Sequence, residues 1–73
     1  MESEASSACE LEIGETAGVV WHALADNGSL TMAKLVKVVR QPHDTVMLAL
    51  GWLAREGKIL IQDQGHKRTI SLR

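Results

Sequence analysis

Cysteine is nearly absent from this chain: Cys9 is the only one in 73 residues. That excludes an internal disulfide, and with it the bridge-stapled scaffold that small secreted domains use in place of a large core. Long apolar runs are missing too, since no window approaches the roughly 20 residues a bilayer-spanning helix needs. The opening MESEASSACE is acidic and serine-rich with no apolar stretch behind it, so it does not read as a signal peptide. A reducing, cytoplasmic setting without membrane contact is the expectation. There is no internal repeat and no interior linker, and 73 residues suffice for one domain only. A domain of that size buries only about 60% of the surface its unfolded chain exposes, so its stability margin is thin.

Lysine and arginine are absent from the first 26 residues, which hold six acidic groups: Glu2, Glu4, Glu10, Glu12, Glu15 and Asp26. All eight basic residues fall in 27–73 against only Asp44, Glu56 and Asp63, a surplus of five positive charges in a chain whose net charge is −1. Such segregation marks either a surface that attracts a polyanion or an acidic tail ahead of an ordinary mixed surface.

Residues 1–10 are polar and aperiodic and read as a disordered acidic tail, leaving 11–73 as the folded domain. From Glu12 the pattern turns helical: Ile13, Ala17, Val20 and Leu24 form one apolar stripe with Trp21 on its shoulder, and Asn27-Gly28 ends the helix near Asp26. Ser29-Leu30-Thr31 is too short for a free strand but can add a rung or two to a sheet. Thr31 can cap a second helix from Met32 to about Val39, whose inner side is Met32, Leu35, Val36 and Val39. Lys34, Lys37 and Arg40 recur every three residues on its outer side. A turn at Arg40-Gln41-Pro42 leads to a third helix, Pro42 to Glu56, stopped by Gly57 and buried through Val46, Ala49, Leu50 and Leu53. Two alternating segments follow, Lys58 to Asp63 and Lys67 to Arg73, with Gln64-Gly65 as the hairpin turn and Ile59, Ile61, Ile70 and Leu72 on the core side. Helix, short strand, helix, turn, helix and hairpin together predict an α+β winged helix-turn-helix with a small C-terminal antiparallel wing.

The run Ala49-Leu50-Gly51-Trp52-Leu53-Ala54-Arg55-Glu56-Gly57-Lys58-Ile59 resembles the signature of a family of small prokaryotic winged helix-turn-helix domains of unknown function. The likeness extends from about Ile13 to Leu72, including the helix of Trp21 and the Ser29-Leu30-Thr31 link. A glycine and a tryptophan side by side within a helix make the match specific. The resemblance implies the fold; it brings no activity, catalytic residue or ligand residue with it.

Nothing in the spacing suggests catalysis. His22, His43 and His66 are too scattered for a metal pair, no glycine-rich phosphate loop follows a strand, and Cys9 has no fixed base beside it. The expectation is a binding module with no catalytic residues, metal, cofactor or small-molecule substrate.

Two partners remain, double-stranded DNA and protein. For DNA, the third helix of a winged helix-turn-helix enters the major groove while the second crosses the backbone. By analogy His43, Asp44, Met47, Leu48, Gly51 and Arg55 would face the groove, a set poor in the Arg, Lys, Asn and Gln that read base edges. The candidate nucleic-acid residues are therefore Lys34, Lys37, Arg40, Gln41, His43, Arg55, Lys67 and Arg68, a mostly phosphate-directed set that suits a weak or low-specificity regulator. Counting Lys34, Lys37, Arg40, Lys67 and Arg68, the salt dependence of binding would have a log–log slope of roughly −4. The same cations would also serve as an ordinary solvated face. For a protein or a second copy of the chain, the candidate interface is the apolar outer side of the third helix: Met47, Leu48, Gly51 and Trp52. Gly51 would admit a close backbone, and Trp52 is expected to be covered within the monomer.

Overall fold

Three helices and a small sheet form in the order that the apolar spacing dictates. The computed structural model describes the backbone of residues 2–73 and the side chains of 9–73. Helix α1 spans Glu2–Asn27, β1 Leu30–Thr31, α2 Met32–Val39, α3 His43–Arg55, β2 Ile59–Gln64 and β3 Lys67–Leu72. The strands are antiparallel in the order β1-β3-β2, which makes β3 the central strand. This is the α+β winged helix-turn-helix architecture that the sequence implies.

The core is built from the stripes read in the sequence. Ala17, Val20 and Leu24 of α1 meet Leu35 and Val39 of α2 and Val46, Ala49, Leu50 and Leu53 of α3. The sheet closes this centre through Leu30, Ile59 and Ile70, and Ile70 is paired with Leu30 on one side and Ile61 on the other. Ile61 is exposed, contrary to the expectation that it lies in the core with Ile59. Its strand is the sheet's edge, and toward the hairpin tip no helix reaches it. Alternation gave the correct face; how far along the strand the cover extends is a tertiary matter.

The helix ends follow local chemistry. Helix α3 closes in a Schellman arrangement: Gly57, at φ 73°, donates to Ala54 O and Lys58 donates to Leu53 O, both at 3.0 Å. The left-handed residue there is glycine because a Cβ would clash with the carbonyl oxygen. Pro42 is the N-cap of α3 rather than its first residue, and the helix stops at Arg55 instead of Glu56. The wing turn is Gly65-His66, one residue later than Gln64-Gly65, because Gln64 still pairs with Lys67. Gly65 has φ 67° and His66 does not share the positive sign, as in a type II′ hairpin turn.

Helix α1 begins at Glu2, well before the periodic pattern that starts at Glu12. The expected disordered tail at 1–10 falls mostly on side chains outside the described residues; Cys9 and Glu10 are exposed. Glu, Ala and Ser tolerate helix, and an existing helix extends at one hydrogen bond per added residue, so no apolar stripe is needed there.

Arg40 is the one non-glycine residue with positive φ among the described residues, at φ 59° and ψ 37°. It ends α2 by donating its backbone N–H to Val36 O at 3.3 Å. Arg40→Gly is expected to raise stability by about 0.5–1 kcal/mol by relieving the left-handed strain, read as a higher urea midpoint at unchanged m-value.

Candidate nucleic-acid interface

Helix α2 is held at its start by Thr31, whose side-chain oxygen accepts from Lys34 N–H at 3.3 Å. With Leu35 and Val39 buried and Met32 and Val36 half-buried, the helix turns Lys34 and Lys37 to the opposite, solvent side. The expected trio is therefore a pair. Arg40 lies beyond the helix in a left-handed conformation, so a spacing of three no longer places it on the same face, although its side chain is exposed.

Helix α3 buries Val46, Ala49, Leu50 and Leu53. At 100° per residue the opposite side is Asp44, Leu48, Gly51 and Arg55, all exposed. This face is acidic at its start, apolar in the middle and basic at its end. Met47 is not part of it. It is half-buried and packed against the core, which removes it from the expected apolar patch. Leu48 remains 51% exposed. Trp52 is 53% exposed instead of covered, because it stands on the α1 flank where Gly14 offers no side chain to lay over it. A Cβ at Gly51 would meet nothing within 4 Å, so no element of this chain approaches that glycine closely.

The wing completes the surface. A groove with an apolar floor of Met32, Ala33 and Val36 runs between α2 and the hairpin, and His43, His66, Lys67 and Arg68 rim it. The groove joins the start of α3 to the wing tip, and Lys37 lies one helical turn past Ala33. Arg68 is partly committed: its Nε donates to Asp63 Oδ1 at 2.7 Å across the hairpin. That hydrogen bond and the charge attraction lower the Asp63 pKa and raise that of Arg68. Both groups are solvent-exposed, so the pair orients Arg68 more than it stabilises the fold. Gln41 is exposed in the turn before α3 but lines a different cleft, with Pro42, Thr45 and the Glu12–Val19 stretch of α1.

Of the eight candidates, the structure gathers His43, Lys67 and Arg68 about one groove, with Lys37 close by, and leaves Gln41 apart. His66 belongs to the rim and was missing from the sequence-derived set. The signal was the hairpin turn, which one residue of register moves onto His66. Among the described residues the ion pairs are Lys58–Glu56 at 3.6 Å and Arg68–Asp63, so the described acids of α1 form no ion pair with the basic face.

Comparison with known proteins agrees with the fold. The model of a family described as winged helix-turn-helix domain (DUF2582) matches residues 1–72. The chain belongs to that family. An uncharacterized protein of Methanocaldococcus jannaschii, MJ1608, is 37% identical over 65 residues, covering 85% of this chain and 91% of the relative. No solved structure matches at a significant level. Within this winged helix-turn-helix domain, α2 and α3 are the helix-turn-helix, β2 and β3 are the wing, and no described helix is long and apolar enough to cross a membrane.

Proposed function

We propose that this winged helix-turn-helix domain is a non-enzymatic regulator that binds duplex DNA with low sequence selectivity. The phosphates would be held by Lys34, Lys37, Arg40 and Lys67, with Arg55 at the far end of α3. The observation that carries the reading is the rimmed groove between α2 and the wing, where cations and histidines converge beside the start of the helix that winged-helix proteins place in the major groove. The low selectivity follows from α3 itself. Its outward residues Asp44, Leu48 and Gly51 offer one acid, one aliphatic chain and no side chain, so Arg55 alone can read a base edge. With Arg68 engaged by Asp63, four phosphate-directed cations remain, for a log–log salt slope of about −3.6.

Fluorescence anisotropy of the intact chain on a labelled duplex at low salt tests this directly. Asp44→Asn is expected to tighten binding about three- to tenfold, because it removes a negative charge from the end of α3 nearest the duplex. The cost to the helix is about 0.3–1 kcal/mol, since an acid there favours the N-terminal dipole. Unchanged or weaker binding by Asp44→Asn would place the duplex elsewhere.

A second reading, a protein-contact module on the outer side of α3, is favoured by the exposure of Leu48 and Trp52. These two residues are neighbours four positions apart on α3, and of the two it is Trp52 that lines the grooves shared with α1.

A further inference from the structure

Helix α1 carries two apolar stripes. Ala17, Val20 and Leu24 face the core. About a third of the way around the helix, Leu11, Gly14, Gly18, Trp21 and Ala25 recur at alternating intervals of three and four, and all are exposed. Leu11 is 67% exposed and Trp21 41%. This second stripe is a flank between the core face and the polar side made by Glu12, Glu15, His22 and Asp26, and no polar side chain interrupts it.

Trp52 of α3 extends the second stripe. It lines one groove with Glu10, Ile13 and Gly14, and another with Gly14, Gly18, Trp21, His22 and Lys58. A Cβ at Gly14 or Gly18 would meet nothing within 4 Å. The two glycines, poor helix formers, thus leave an open trough between two tryptophans that no described residue fills.

We propose that the trough receives α1 of a second copy of this chain, the two helices crossing antiparallel about a two-fold axis midway between Gly14 and Gly18. Charge selects this occupant. Glu10 lines one end of the trough and His22 and Lys58 the other, the latter paired among the described residues only with Glu56, through an exposed contact. Setting Gly14 opposite the second copy's Gly18 brings Leu11 onto Trp21 and Glu10 toward His22, and the symmetry repeats each contact. A parallel pairing would set acid against acid. The surface is separate from the groove at the wing, so the dimer does not depend on DNA binding.

Sedimentation equilibrium of the full chain, from micromolar to millimolar, compares the wild type with Gly18→Gln and Leu48→Glu. Glutamine at 18 has room in the monomer and favours helix, so this variant is expected to melt no lower than wild type while holding the second backbone away. The expected result is a wild-type dimer, a dissociation constant raised roughly 100-fold by Gly18→Gln, and none of that change in Leu48→Glu. A wild-type monomer at millimolar concentration overturns the proposal, as does a dimer that survives Gly18→Gln, whether or not Leu48→Glu dissociates it.

Discussion

Replacing Ile70 with alanine is expected to lower the melting temperature by about 15–20 °C, among the largest single-residue effects in the fold. Ile70 is 0% exposed, and it sits on the central strand between Leu30 and Ile61. Truncating a buried isoleucine removes its transfer free energy and leaves a cavity, together about 2–5 kcal/mol. A domain of 73 residues has only about 4–11 kcal/mol to lose. The paired control is Ile61→Ala on the edge strand, whose side chain is already exposed and whose loss should stay within about 1 kcal/mol. Thermal melts followed by circular dichroism separate the two. Equal losses would mean that the core does not end at Ile59 on that strand.

The triple substitution Lys34→Ala, Lys37→Ala and Arg40→Ala is expected to weaken duplex binding about 100-fold at low salt and to flatten the salt slope from about −3.6 to about −0.9. The three side chains are exposed and form no ion pair among the described residues, so the fold should be unchanged. Alanine is also the better helix former at 34 and 37. Loss of affinity with an unchanged slope would show that the cations act through the fold and not on phosphates.

Much of the fold was legible because local chemistry and burial agree. The Thr31 cap, the exact span of α2 from Met32 to Val39 and the glycine stop at 57 each follow from one or two neighbouring residues. The differences arise where the answer depends on distant packing. Periodicity places Ile61 beside Ile59 but cannot say that the helices stop short of the strand's far end. It places Met47 on an outer flank but does not show that the side chain packs against the core, and it gives Trp52 a neighbour in α1 whose residue is glycine. Arg40 shows the opposite limit: a spacing of three suggests a common face until one left-handed residue ends the helix. The candidate site was legible as a set of charges. Its shape, a groove that joins the wing tip to the start of α3, depends on a hairpin turn one residue later than its strongest glycine signal.

The most direct measurement is a titration of the ¹⁵N-labelled full chain with a short duplex at low salt, followed by amide chemical shifts. The account places the perturbed amides at Lys34, Lys37, His43, Arg55, His66 and Lys67, with α1 unmoved. Shifts confined to α1, or none at all at saturating duplex, would contradict it.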